Sequence, residues 1–550
     1  MERCGDPQGL LGGHTRAEAG VRGEVGMTEI CLGFEVHQPF RLNRRFTEEM
    51  ARGKSPSELP DIYFDNSMNR EIFLRVARKC YLPATGIILE NIDRYRRDRK
   101  KFKVAFSLSG TFLEQCMRWA PELLDIFTDM AKTGCAEFPC QTYYHSLSSI
   151  FSSDRTEFVE QVQMHRRKVE ELFGMRPTVF ENTEFLYNNS IASTIAAMGF
   201  RGIFTEGAER ILGWRSPNFV YRASSADIKV LLRNYRLSDD VAFRFSNRDW
   251  EGWPLTADRY AYWLACTPGT CINIFMDYET MGEHQWPETG IHEFLRWLPG
   301  EILRHENLEF STPSELLRHE PVGEIDVHDF ATVSWADAER STNAWLGNDM
   351  QRTAFNHLKA LESWVRKAGD PELTRIWRLL QTSDLIYYMF VTPGPSGLVH
   401  GYFSQQFPSE AFWVFMRVLS DFYTKVSERL GSSGRPLRLL RPVPPDRAFH
   451  LFEGGRYINL SAHSLRELAD VVRIAPESSL REHLVNGDVR RWVEETIEDR
   501  ELAARLGKRG LENLRGELVR ELELRLNELE KVNSYNFSNS AGKNRRDSGD

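Results

Sequence analysis

Nowhere does the chain hold a run of about 18 apolar residues, the length a helix needs to cross a bilayer. Its first 26 residues contain no apolar run of signal-peptide length. Net charge is only −8, from 70 basic and 78 acidic side chains, so the basic excess that nucleic-acid partners select is missing. Cysteine is scarce, with 8 in 550 residues, and no two stand as C-x-x-C, which argues against a zinc ribbon or a dithiol redox motif. There is no internal repeat, no H-x-x-x-H, and no H-x-D on the first strand-like segment, so a compact metal-ligand motif is also lacking. These absences predict a soluble cytoplasmic protein with reduced thiols, no membrane contact and no nucleic-acid partner. Residues 1–26 are expected to be a disordered leader or a mis-called start, because Met27 opens the first strand-like segment.

What is present is apolar and aromatic. Apolar residues make up 41% of the chain, including 34 Phe, 17 Tyr and 13 Trp, enough for several cores with aromatics left for a ligand cleft. Strand, loop and helix patterns alternate from about 27 to 300. Strands are predicted at 29–36, 103–108, 134–138, 177–180, 201–205 and around Ile274-Phe275-Met276; helices at 69–99, 155–173 and 191–198. That alternation predicts a mostly parallel α/β domain whose length favours a barrel. From about Pro313 the texture turns helical, and Gly431 to Pro436 with the prolines at 442, 444 and 445 reads as a linker. The predicted division is a catalytic barrel at 27–310, a helical domain at 311–435 completing the active site, a small α/β accessory module at 446–510, a helix at 511–531 and a disordered tail at 532–550. The leucine stripe of that last helix (Leu511, Leu514, Leu518, Leu522, Leu526, Leu529) can pack on the body or against another chain, which leaves an oligomer open.

The chemistry concentrates between Asn273 and Trp286, NIFMDYETMGEHQW, where Asp277, Glu279, Glu283 and His284 follow a buried-strand signature. The carboxyl end of a strand is where barrels build active sites. Carboxylates, a histidine and a tryptophan on one loop suit sugar chemistry, in which acids protonate and attack a glycosidic bond. Other carboxylates at predicted strand ends are Glu114, Glu184 and Glu206. Glu184 stands out, since Asn182, Thr183 and Tyr187 around it can orient a carboxylate. His37, in His37-Gln38-Pro39, and His145 also follow predicted strands. Taken singly, several candidates have plainer readings: Glu114 as a helix-start acid, His145 bonded to a loop carbonyl, Trp335 and Trp345 as core, and Asp384 as a helix N-cap.

Together these stretches resemble glycoside hydrolase family 57, in its α-amylase-like subgroup. The matching segments are His37-Gln38-Pro39, Gly110 to Glu114, Glu181 to Tyr187, Asp277 to His284, and the later Ser334–Asp337, Ala344–Asn348 and Gln381–Asp384 region. The resemblance implies a (β/α)7 barrel followed by a helical region, retaining hydrolysis of α-1,4-glucans or maltooligosaccharides, and neither cofactor nor metal. It implies Glu184 as nucleophile and Asp277 as acid/base, with His37, Glu114, His145, Glu279, His284, Trp345 and Asp384 toward the sugar. It also implies an acidic residue after Glu339-Arg340, where this chain has Ser341. A 4-α-glucanotransferase would use the same site, and a catalytically weak glucan-binding protein could keep it. A metal-dependent hydrolase built on His37, His145, Asp277 and His284 is the competing class.

Overall fold

The computed structural model describes residues 26–151, 154–391, 407–506 and 513–534. Residues 1–25 of the expected leader at 1–26, and most of the expected tail, lie outside the described residues. The chain divides into two compact units, residues 1–40 with 66–344, and residues 41–65 with 345–550.

The first unit is built on a parallel barrel. Its strands are β1 (Thr28–Val36), β2 (Val104–Leu108), β3 (Ala136–Glu137), β4 (Val179–Phe180), β5 (Gly202–Glu206), β7 (Lys229–Arg233) and β8 (Cys271–Asp277). β1 pairs in parallel with β2 and with β8, β2 with β3, β4 with β5, β5 with β7, and β7 with β8. The remaining gap is closed just past β3, where Cys140 bridges Phe180 in parallel. Seven parallel strands therefore return to the first, and the (β/α)7 barrel expected from the sequence is present. The strands β6 (Val220–Ala223), β9 (Leu308–Phe310) and β10 (Glu324–Ile325) extend the sheet outside this ring.

Burial on both faces explains why β1 and β8 read as near-continuous apolar runs. Residues of one parity, Ile30, Leu32, Phe34 and Val36, join the layer between strands and helices; Cys31 joins a separate core cluster with Phe275. Gly33 lies in register with Phe275, whose ring would sit 2.3 Å from any added Cβ, so this strand position must be glycine. The predicted helix at 155–173 is observed as Thr156–Phe173, closed by Gly174 at φ 64°. The long helical pattern at 69–99 is instead two helices, Asn66–Val76 and Leu82–Tyr95, joined by a π-helical turn at Ala77–Tyr81. Such turns add one residue and re-aim side chains, and here the re-aimed side chain is Tyr81.

The second unit contains helices Asp349–Ala360, Pro371–Leu379 and Pro408–Leu430, then a hairpin, β11 (Phe449–Glu453) with β12 (Arg456–Ala462), and further helices. The linker read at 431–436 is helical, as a short turn at Gly431–Gly434 followed by Arg435–Leu440. Its glycines and prolines sit at the helix termini, where these residues are tolerated. The last helix runs Leu514–Ser534, and Leu514, Leu518, Leu522, Leu526 and Leu529 are all buried in the core of this unit. These five leucines are thus covered within the unit, and Leu511 lies outside the described residues. Six described cysteines are buried free thiols, and Cys266 is the exception, being disulfide-bonded.

Candidate active site

The carboxyl ends of the barrel strands deliver the first unit's candidates. β1 ends at Val36 and hands over His37; β8 ends on Asp277; β4 leads through Glu181 to Glu184. In-register pairing puts Glu35 beside Ser107 on one side and Asp277 on the other, so all three occupy one layer of the barrel.

Glu184 sits on a tight turn in which it and Phe185 both have left-handed backbone, φ 58° and 56°. Holding two non-glycine residues there costs on the order of 1–3 kcal/mol each, a strain found where a side chain must be aimed. Two side chains hold the carboxylate. Trp335 Nε1 donates to Glu184 Oε2 at 2.8 Å, and His145 Nε2 lies 3.5 Å from Oε1. Trp335 is itself stacked on Phe185, with centroids 4.6 Å apart, and faces the Arg233 guanidinium at 5.5 Å. Arg233 is buried and paired with Glu206 at 2.9 Å and Asp239 at 2.6 Å. Arg340 approaches the same two acids and donates to the Trp335 carbonyl. Glu206, a sequence candidate, is therefore an internal counter-ion. Burial raises its pKa, against the pull of Arg233.

His145 adopts φ 47° and stacks on His37, centroids 4.0 Å apart. His37 Nδ1 meets Ser109 Oγ at 2.8 Å. Below His145 lies Gln141, whose amide donates to Glu35 Oε1 at 2.8 Å and to Ser107 Oγ at 2.9 Å. Its carbonyl oxygen is left to accept from His145 Nδ1 at 3.0 Å. Glu181, fully buried, accepts from Ser107 Oγ at 2.8 Å. Burial pushes the Glu181 carboxyl up to about 7, and the charges of Glu184 and Asp277 push in the same direction.

The loop after β8 carries the acidic cluster. Glu279 is buried and accepts from Tyr81 Oη and, at 3.3 Å, from Gln38 Nε2. Burial, and then the Asp277 charge, raise Glu279 to about 8, so it is protonated at neutral pH. Glu283 turns the other way, into an ion pair with Arg75 at 2.9 Å, and so serves the packing of the loop. Burial lowers His284 to about 4, which keeps its imidazole neutral. Gly282 allows the turn: at φ 145° an added Cβ would stand 2.2 Å from the Lys79 carbonyl oxygen.

Glu114 lies inside the helix Gly110–Trp119 and accepts from Tyr143 Oη at 3.1 Å, so it is not a helix-start acid. The cap of that helix is Ser109. Trp345 and Asp384 belong to the second unit. Trp345 is fully buried, its ring 6.3 Å from that of Tyr387, a position that suits core packing better than a sugar platform. Asp384 is in the first turn of the helix Ser383–Tyr387, two positions past the N-cap Thr382. Its charge faces Tyr388, as do those of Arg41 and Arg44.

Sequence reasoning missed Glu35, Glu181 and Tyr81, and read Trp335 as core. One signal was available: a glutamate inside an apolar strand run, as Glu35 is, must be paired when buried. Among the described residues no group of His, Cys, Asp and Glu could hold a metal ion, so the competing metal-dependent reading gains nothing from the geometry.

The mouth of the barrel thus gathers several carboxyl groups around a glutamate held by a tryptophan. The chain belongs to glycosyl hydrolase family 57, whose model matches residues 31–328. A curated relative from Methanocaldococcus jannaschii, provisionally named an α-amylase, is 48% identical over 414 residues, 74% of this chain and 86% of the relative. The fold is similar to the crystal structure of 4-α-glucanotransferase from Thermococcus litoralis, with TM-score 0.52 and 14% identity over 78% of this chain; the match spans 63% of that chain's length. It is also similar to a family 57 branching enzyme from Thermococcus kodakaraensis, with TM-score 0.50 and 12% identity over 74% of this chain and 92% of that one.

Proposed function

We propose that this chain hydrolyses α-1,4-glucans with retention of configuration, using Glu184 as nucleophile and Asp277 as general acid/base. The observation that carries the reading is the state of Glu184. Its carboxylate is held at one oxygen by an indole N–H and approached at the other by an imidazole, on a backbone strained toward that pose. Such fixation suits a group that must attack a carbon from one direction.

In the first step Asp277 gives its proton to the glycosidic oxygen as a Glu184 oxygen bonds to the anomeric carbon. The C–O bond to the leaving sugar breaks, and a glycosyl ester is left on Glu184. Asp277, now ionised, takes a proton from water as the water oxygen attacks the same carbon and displaces Glu184. The protonated Glu279 adds no second charge beside Asp277, so its neutrality favours an acid that can cycle.

His37, Glu114, His145, Glu279 and His284 are the proposed sugar contacts of the first unit. No cofactor is required. The α-amylase name of the relative from Methanocaldococcus jannaschii supports an α-glucan substrate. A cytoplasmic setting is part of this proposal; no described helix is long and apolar enough to cross a membrane. The test is product analysis of maltoheptaose incubated with wild type, Glu184→Gln and Asp277→Asn. The expected result is shorter sugars from wild type and none from either variant. Longer products beside shorter ones would instead make it a glucanotransferase. If either variant turns over as wild type does, the assigned pair is wrong.

A further inference from the structure

Under Glu184 lies a group of buried side chains that the proposed steps do not consume. Glu35 and Glu181 are both buried and in hydrogen-bonding contact with each other. Each has one oxygen satisfied, Glu35 Oε1 by Gln141 and Glu181 Oε2 by Ser107. The other oxygen of each, Glu35 Oε2 and Glu181 Oε1, is buried with no partner if both groups are ionised. One proton between them satisfies both oxygens and leaves the pair with one negative charge.

The hydrogen-bond directions then run one way. Ser107 gives its only hydrogen to Glu181, so it must accept from the Gln141 amide; that fixes the Gln141 carbonyl toward His145 Nδ1. Nδ1 therefore carries a hydrogen. A neutral ring of that tautomer would present its Nε2 lone pair to the Glu184 carboxylate, which is repulsive; an imidazolium presents an N–H. Glu35 Oε1 lies 3.4 Å from the same Nδ1, close enough to favour the cation.

We propose that Glu35 and Glu181 share one proton and act as positioning residues, their single negative charge keeping His145 an imidazolium that orients the nucleophile. The proposal rests on the reading of Glu184 as nucleophile. Other titratable groups facing this cluster are Asp277, in register with Glu35, and His37, stacked on His145. His165 lies behind Gln141, accepting its backbone N–H, and burial lowers it to about 4 so that it stays neutral. Glu279 lies beyond Asp277, and Arg233 lies beyond Trp335 with its own two acids. None of these lies against His145 Nδ1 as the singly charged Glu35–Glu181 pair does, with Glu35 Oε1 at 3.4 Å. Burial raises Glu35 well above the carboxylate range, in accord with its holding the proton and donating it to Glu181.

The experiment uses the full chain and three variants, Glu35→Gln, Glu181→Gln and the double variant, with the His145 ring followed by nitrogen NMR and assigned by its loss in His145→Asn. Either single variant replaces the shared proton by an amide hydrogen and keeps one negative charge, so His145 should remain cationic and turnover near its optimum should change little. The double variant removes the charge. Its His145 should titrate about one pH unit or more lower, and kcat should fall about tenfold or more, with KM changed far less. The proposal is overturned if His145 titrates alike in wild type and a folded double variant. It is equally overturned if the single variants lose the imidazolium as completely as the double. Should the double variant not fold, the single variants alone decide. The NMR readout does not depend on turnover, so a failed nucleophile assignment would appear separately, as an active Glu184→Gln enzyme with the His145 titration unchanged.

Discussion

Trp335 holds Glu184 at two points: its backbone N–H donates to the Glu184 carbonyl at 3.2 Å, and its indole N–H donates to the carboxylate at 2.8 Å. The two residues are 151 positions apart in sequence. The indole ring also stacks on Phe185, so one residue, through its backbone and its side chain, fixes the turn, the neighbour and the carboxylate.

Trp335→Phe separates these roles, because phenylalanine can keep the stack on Phe185 and cannot donate. A hydrogen bond to a charged group is worth about 1.5–3 kcal/mol, so kcat on maltoheptaose should drop on the order of 10–100-fold. Substrate affinity should change much less. Steady-state kinetics beside a circular-dichroism spectrum would check this; a folded variant with wild-type kcat would show that the indole N–H is dispensable.

Gly282 is the joint on which the acidic loop turns. In Gly282→Ala the new methyl group would press on the Lys79 carbonyl and on Cys80 Cα, 2.9 Å away, in a backbone conformation that alanine resists. Neither clash is with a flexible side chain. A loss of about 3 kcal/mol or more is expected, seen as a lower denaturation midpoint, together with a steep fall in activity because Asp277 and Glu279 flank the same turn.

How much of this could be read in advance depended on range. β1 and β8 were legible because burial on both faces demands apolar runs, and Gly174 marked its helix end by local backbone need alone. β7, with the sequence Lys229-Val-Leu-Leu-Arg233, is too short and too flanked by charge to stand out, although it carries the arginine that backs Trp335. The role of Tyr81 depends on a π-helical turn that helical periodicity cannot reveal. Glu35 and Glu181 become a pair only when barrel closure brings β1 against the segment after β4. The catalytic candidates were visible as motifs; the groups that would set their charge and aim were not.

Buried Glu279 should make stability fall as pH rises. Its folded pKa of about 8 stands above the ordinary 4.5, so the folded chain holds a proton that the unfolded chain releases. The contribution is complete below about pH 4.5 and is lost as pH climbs through about 8. Glu181, raised to about 7, acts in the same sense. Glu279→Gln removes one titration while keeping a neutral side chain of the same shape. Urea denaturation midpoints at both ends of the window should therefore differ less in the variant than in wild type. Equal pH slopes would mean that Glu279 is ionised in the folded protein.

Arg340 is the other support for the tryptophan clamp, and its replacement should reach the reaction without touching substrate. It adopts φ 55°, donates to the Trp335 carbonyl, pairs with Asp239 at 3.3 Å, and lies over the Tyr235 ring at 5.0 Å. Arg340→Met preserves the length of the side chain and much of its contact with Tyr235, but it removes the donor and the charge. Arg233 still neutralises Glu206 and Asp239, so the buried acids keep a partner and the barrel should remain folded. What is lost is the tether on the Trp335 backbone. The expected outcome is a kcat reduced about tenfold, smaller than for Trp335→Phe, and little further loss when both substitutions are combined, since both act through one hydrogen bond to Glu184. A double-mutant cycle on kcat measures this directly. Strictly additive effects would mean that Arg340 acts on the site by a route other than Trp335.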